Sequence, residues 1–560
     1  MNQLQGTNLP TPRFRTGPLS PELFQVDGYT NLQTFFPTLT KLFRLGKWNN
    51  GEEIWMDTCW RIQGIDCSGT SGPCTVTLKE NKVSQDVSGN LNIKSAYLKV
   101  THLLDPVHWM HGQYSLPKQS GLPWHRKGWQ TAFNKLQDPG NQAYIDAICS
   151  YVLGKIAEDG ISPHFNTFYG GFCARAKTYR YNLTDEFNTY RYERWFWKGY
   201  NKKLFKFKVI NNINPDDSVP DDVMEEILHQ YNDDESSASE SLSVIDIKDE
   251  DAASLHSETM SGVDFVESEE ESTSEAKSST DSSEPDSDYT IYAEMENYPV
   301  MLILTEKSEG TMDELFENSL SIEHGPKSAK WEQQWTAWLF QIIAALSCLQ
   351  TLIGFTHNDL HTNNIVWIKT SEEYLYYTSR SGTYFKVPTF GIIFRIIDFG
   401  RAIFTINKTM YISDDFKDDN DAGGQYIFKP LVARCKNEVR PNPSFDLCRL
   451  AVSMIDGVFP KKPEKKVGGA ILSNEDGLVV YETKSHLYNL IWSWMIDDSG
   501  CNIYINPDGT ERFPDFDLYK YIARHIHNAI PSQQFTKEAF QAFCVNELPP
   551  ATSKVYSLFC

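Results

Sequence analysis

A chain of 560 residues that is 40% hydrophobic and 13% aromatic can bury a core large enough for a catalytic domain with insertions, which excludes a wholly disordered protein. Its formal charge of −22 excludes nothing about partners, because the acidity belongs to one segment. Between Pro215 and Asp288 there are 25 Asp and Glu against Lys248 and Lys277, so the rest of the chain carries a net +1. Eleven cysteines without a CxxC pair read as reduced thiols of an intracellular protein.

The N-terminus, MNQLQGTNLPTPRFRTGPLSP, lacks the apolar core of a signal peptide. Residues 1–50 mix Pro, Thr and Phe without a period and form an extension of no assigned role. From Glu52 to Thr101 the pattern is strand-like, and Cys74–Asn81 and Asn92–Thr101 are expected to pair across the polar residues between them. Ile145, Ile148, Val152 and Ile156 recur at helical spacing and predict a helix over Ala143–Gly160, with Gly160 as its stop.

Arg175–Lys208 interleaves basic and aromatic residues. That composition suits nucleic-acid binding, but the favoured expectation is a twisted hairpin with packed rings and solvated lysines. An internal contact with the neighbouring acidic segment, weakened by salt, is a third reading. Residues 215–289, rich in Ser, Glu and Asp, cannot bury enough apolar surface to offset their ordering entropy and are expected to be disordered. Their Ser/Glu mixtures (Glu267–Glu275) also suit acidophilic kinases as substrates.

Pro299–Lys307 reads as a buried strand and Trp331–Leu352 as a helix. Trp335–Phe355 approaches membrane-span length, but Gln341, Ser347, Gln350 and Thr351 interrupt it, so a core helix in a soluble protein is expected. Helices are also expected at 444–459, 485–498 and 513–530. Strands with one embedded helix, then mostly helices, predict an α+β fold of two lobes. The expected divisions are 51–214 (first lobe with insertions), 215–289 (acidic insertion), 290–310 (end of that lobe and hinge) and 311–560 (helical lobe).

Two runs carry the chemistry. His357-Asn358-Asp359-Leu360-His361-Thr362-Asn363-Asn364 follows the long apolar helix, and Asp398-Phe399-Gly400 ends the apolar strand Ile392–Ile397. Together they match H-x-D-L-x-x-x-N followed by D-F-G. Phosphoryl transfer needs an aligned nucleophile and neutralised phosphate charge, with little covalent work by the protein. Asp359 can orient an attacking hydroxyl and accept its proton. Asn364 and Asp398 offer the oxygen ligands that Mg²⁺ prefers, and Gly400 lets the chain turn behind the metal ligand.

On these residues the chain resembles protein kinases, specifically the divergent serine/threonine kinases of large nucleocytoplasmic DNA viruses, from about Ala96 to Pro531 with insertions. The resemblance implies an ATP- and Mg²⁺-dependent phosphotransferase in the host cytoplasm or the virion, with protein hydroxyls as acceptors. No membrane or nucleic-acid partner is expected, and the oligomeric state is left open. By the same resemblance, Lys99 in Ala96-Tyr97-Leu98-Lys99 holds the α- and β-phosphates and pairs with Asp146 on the following helix. An aspartate is shorter than the glutamate usual there, so either the helix sits closer or the pairing is looser. Leu304 guards the back pocket, Thr305, Glu306 and Lys307 form the hinge that meets the adenine, and His357 and Asp446 support the catalytic loop.

Several features depart from that pattern. No G-x-G-x-x-G follows a strand, although Gly64, Gly69 and Gly72 lie near. Asn358 replaces the usual arginine, so a phosphorylated activation segment would lack its cationic partner. The A-P-E triplet is absent, and His361 stands where protein kinases commonly carry lysine, as in small-molecule kinases. Two alternatives therefore stay open: a small-molecule kinase, and a pseudokinase acting as a scaffold.

Overall fold

The computed structural model describes residues 11–17, 26–45, 53–67, 69–80, 91–114, 130–214, 218–229, 289–317, 328–418, 420–433, 436–475, 478–547 and 549–559. The fold is α+β. By internal contacts the chain divides into two units, Met1–Tyr179 with Met295–Cys560, and Arg180–Glu294. This division cuts across the segment 51–214.

The first unit opens with strands. β1 (Tyr29–Gln33), β2 (Trp60–Asp66), β3 (Gly72–Glu80) and β4 (Leu91–His102) precede helix α1 (Gln142–Glu158); β5 (Phe168–Asn182) and β6 (Tyr289–Glu306) follow it. They lie in the sheet order β1-β5-β6-β4-β3-β2. The expected pairing of Cys74–Asn81 with Asn92–Thr101 is present as the antiparallel β3–β4 ladder. Residues 81–90, through which they were to connect, lie outside the described residues. β4 in turn pairs antiparallel with β6, setting Lys99 opposite Ile303 and Tyr97 opposite Thr305.

Helix α1 starts at Asn141, whose side chain accepts the Ala143 N–H at 3.1 Å, and Gly160 follows its end with φ +65°. Nearly every residue of the helix is buried. A Cβ on Gly154 would stand 2.8 Å from the Cβ of Phe168 on β5, so helix and strand approach as closely as bare backbone allows.

After β6 comes α2 (Ala329–Ile353), capped by Ser328 and ended by Gly354 at φ +57°. It is long and apolar enough to cross a membrane, yet 83% of its most apolar window is buried. The polar residues that interrupt it have partners. Gln341 donates to Ile392 O and accepts from Phe394 N, and Ser347 donates to Leu558 O. Such bonds offset the burial of polar groups in a core helix.

β7 (Ile365–Lys369) and β8 (Ile392–Ile396) pair antiparallel, bringing the end of the Asp359 loop beside the approach to Asp398. α3 (Phe445–Val458), α4 (His486–Trp494) and α5 (Asp517–His525) follow. The expectation of a helical 311–560 is incomplete. Tyr374–Thr378, Tyr384–Pro388, Cys544–Val545 and Val555–Ser557 form a four-stranded sheet, built on aromatic and β-branched residues that favour a half-buried pleated surface.

In the second unit, Arg180–Glu294, the expected hairpin is replaced by helices Thr184–Tyr190 and Arg194–Asn201, before strand Lys206–Asn211 pairs with Tyr289–Glu294. The rings pack across these elements: that of Phe196 lies 5.2–6.3 Å from those of Phe187, Phe205 and Phe207, one from the first helix, one from the turn and one from the strand. Asp221–Leu228 is a helix within the segment expected to be disordered. Residues 230–288 lie outside the described residues, and the expectation of disorder falls mainly on them.

Candidate active site

β4 and α1 each contribute one charged side chain to the floor of a cleft of about 600 Å³. Lys99 Nζ lies 2.6 Å from Asp146 Oδ2 and 2.9 Å from Asp398 Oδ1. Burial works against the ammonium charge, but the two carboxylates reverse this and hold the Lys99 pKa above its ordinary value. Asp398 is 45% exposed. Partial desolvation pushes its carboxyl up, and Lys99 outweighs that, holding it down at about 2. Asp146, by contrast, is buried. Its second oxygen accepts the Phe399 N–H at 3.1 Å, so one carboxylate joins β4, α1 and the Asp398 turn.

Thr305, Glu306 and Lys307 line the cleft, as does Ile303. Leu304 does not. Strand alternation puts Ile303 and Thr305 on the face of Lys99 and Tyr97, while Leu304 pairs with Leu98 and both are buried on the other face. Of the two, Ile303 therefore faces the cleft. The Glu306 carboxylate meets Arg395 at 2.8 Å and the Thr167 hydroxyl at 2.9 Å. Burial raises its pKa, and these partners turn the net shift downward. Its backbone N–H already donates to Thr167 O. Of the three glycines, Gly64 lies at a register shift in β2, Gly69 and Gly72 have φ +81° and +154°, and Ser71 and Pro73 line the cleft beside them.

Asp359 lies on the loop after α2. Asp446 of α3 accepts the backbone N–H groups of His357 (2.9 and 3.1 Å) and Asn358 (2.9 Å) with its buried carboxylate. Burial raises the Asp446 pKa, against the pull of His357 and these bonds. His357 Nε2 bonds Ile397 O at 2.9 Å, and Asn364 O accepts the Ile397 N–H at 3.0 Å. The loop is thus stitched to the strand that ends at Asp398. Asn364 Nδ2 donates to Asp359 O at 2.9 Å and lies 3.0 Å from His361 Nε2. Burial lowers the His361 pKa, with Asp359 opposing.

Asn358 is fully buried with φ +65°, a backbone cost of order 1–3 kcal/mol. Its amide donates to Arg401 O at 2.8 Å and accepts from Tyr426 Oη at 2.6 Å. The left-handed turn at Asp398-Phe399-Gly400 falls on Asp398 (φ +65°) and not on Gly400. At 400 glycine avoids a tight contact, since a Cβ there would meet the Gln142 side chain at 3.1 Å.

The segment after Gly400 returns to the start of α1. Asp414 accepts the Gln142 N–H at 3.0 Å and pairs with Lys135 at 2.5 Å. Asp415 accepts from Gln142 Nε2 and Arg401 Nε, both at 3.1 Å. Two carboxylates therefore sit at a helix N-terminus, where the dipole favours negative charge. Burial raises both pKa values, with Lys135 and Arg401 respectively pulling the other way.

The residue that sequence reasoning missed most clearly is Tyr519 of α5, whose hydroxyl donates to Asp359 Oδ1 at 2.6 Å. Nothing in its amphipathic surroundings distinguishes it, and 160 residues separate the pair. Arg401 is the other missed neighbour, its guanidinium 3.9 Å from Asp359 Oδ2.

The arrangement offers a cation fixed between two carboxylates at a nucleotide-sized cleft, and a separate carboxylate held on a rigid loop. No family model matches the chain, and no curated protein matches it. Among solved structures, the ROP18 kinase domain in complex with AMP-PNP and sucrose is similar at a TM-score of 0.28 and 8% identity, over 92% of this chain and 84% of that one. A similarity this low carries no weight, and the functional reading rests on the site.

Proposed function

We propose that this protein is an ATP- and Mg²⁺-dependent phosphotransferase of the protein-kinase type, transferring a phosphoryl group to serine or threonine hydroxyls of proteins. The observation that carries the reading is Lys99 held at 2.6 Å from Asp146 and 2.9 Å from Asp398 on the cleft floor. An ammonium so fixed can meet the α- and β-phosphates without reorganising. Thr305, Glu306 and Lys307 border the cleft where the adenine would lie. The strands through β6 with α1 form one lobe of this reading, and α2 onward the other.

Asp398 and Asn364 would hold Mg²⁺. A half-exposed carboxylate and an amide, on segments joined by the Asn364–Ile397 backbone bond, supply the hard oxygen donors this ion takes when phosphates and water complete its shell. When bound, the metal neutralises phosphate charge. Asp359 orients the acceptor hydroxyl and takes its proton as the new O–P bond forms and the β,γ-bridging bond of ATP breaks, releasing ADP. Asn364 keeps the Asp359 backbone in place, and Asp446 holds the loop from below.

Activity in this reading does not wait on phosphorylation. The Asn358 side chain is committed to Arg401 and Tyr426, and Asp415 already supplies the negative partner of Arg401. Kinship with the kinases of large DNA viruses is part of the proposal and rests on the motifs alone.

The test is incubation with γ-phosphate-labelled ATP, Mg²⁺ and a generic basic protein, beside Asp359→Ala. Label transfer that disappears in the variant is expected. A folded, nucleotide-binding protein that transfers nothing would instead point to a small-molecule acceptor or a scaffold.

A further inference from the structure

We propose that Tyr519 is a positioning residue for Asp359, an inference that rests on the phosphotransferase reading. The phenol donates to Asp359 Oδ1 at 2.6 Å, the short distance of a charge-assisted O–H···O⁻ bond. It is itself held in place. Arg449 Nε donates to the same hydroxyl at 3.1 Å, with the guanidinium 5.3 Å from the ring. Phe516 stacks on Tyr519 at 5.2 Å and Phe445 lies 5.9 Å away. Burial, followed by the Asp359 charge, raises the Tyr519 pKa, so the phenol remains a donor.

The other oxygen of Asp359 faces Arg401 at 3.9 Å, a pair not closed to hydrogen-bond distance. Arg401 is anchored on the far side by Asp415 at 3.1 Å. The carboxylate is thus suspended between a short bond from a neutral donor and an unclosed ion pair. Without the phenol, Arg401 is the nearest cation, and closing that gap would rotate the carboxylate away from an acceptor hydroxyl and neutralise it. A tyrosine suits the task because it fixes one oxygen without bringing a positive charge. The second oxygen is left to the substrate.

The experiment compares full-length wild type, Tyr519→Phe and Tyr519→Phe/Arg401→Gln in labelled-phosphate transfer to a basic protein, with the ATP·Mg²⁺-induced thermal shift measured alongside. The single variant is expected to lose about 10- to 100-fold in kcat, the kinetic equivalent of one charge-assisted bond. Its acceptor KM and nucleotide shift should stay unchanged, and the double variant should recover part of the rate. A kcat equal to or above wild type overturns the proposal, a rise meaning that the phenol competes with the acceptor. A loss shared by kcat and the nucleotide shift also overturns it, marking a structural role. An inactive wild type removes the protein-kinase reading and this inference with it, whereas an active wild type matched by the variant removes this inference alone.

Discussion

Asp146 reaches Lys99 at 2.6 Å although its side chain is one methylene shorter than the glutamate expected there. On the same helix, Gly154 leaves no room for a Cβ against Phe168, so α1 packs tightly on β5. The same carboxylate accepts the Phe399 N–H, so its position is set from two sides.

Asp146→Glu, conservative by charge, should therefore be damaging. A longer side chain cannot keep both the Lys99 contact and the Phe399 N–H bond without shifting α1, and a misfit of this kind costs about 1–3 kcal/mol. Urea unfolding should show that loss, with a smaller ATP-induced thermal shift. A variant as stable and as responsive to nucleotide as wild type would mean that the helix is free to retreat.

Asp446→Asn should destabilise the protein by about 2–4 kcal/mol. The wild-type carboxylate accepts three contacts from two backbone N–H groups, whereas an amide turns a donor toward donors. Denaturant midpoints at pH 7 check this. A near-neutral substitution would show that the buried group is already protonated, the direction in which burial pushes it.

Asp414→Ala should free the start of α1, removing the bond to Gln142 N and the ion pair with Lys135. A loss of about 1–3 kcal/mol is expected, together with reduced label transfer, because α1 carries Asp146. Phosphatase treatment of wild type should leave its activity unchanged. Activity that falls on dephosphorylation would argue against built-in carboxylates as the holders of this helix.

His164 should make stability fall on mild acidification. Its Nδ1 bonds Phe394 O and its Nε2 meets Tyr377 Oη, both at 2.9 Å, and burial pushes its pKa from 6.5 down to about 4. Between those values the unfolded chain binds the proton and the folded one does not. The contribution is complete above about pH 6.5 and is lost as pH falls toward 4, by up to about 1.4 kcal/mol per pH unit. His164→Gln, whose amide can serve both partners, should flatten that slope in urea titrations at pH 4.5–7. His102, also lowered to about 4 by burial, leaves a residual slope.

What the sequence determined by itself was local. The spacing from His357 to Asn364, Asp398-Phe399-Gly400 at the end of an apolar strand, the helical period around Asp146 and the alternation flanking Lys99 are short-range patterns. Each carries its own chemistry or period. The tertiary structure alone decided what meets across long separations: Tyr519 on Asp359, Asp446 under His357, and Asp414 at the start of α1. It also decided which face of a strand meets the cleft, so Ile303 and not Leu304 lines it. In a run buried on both faces, neither residue is marked by polarity. Likewise the turn at Asp398 rests on contacts from Lys99 and Asp146 that hold a strained backbone in place, and composition cannot show such contacts.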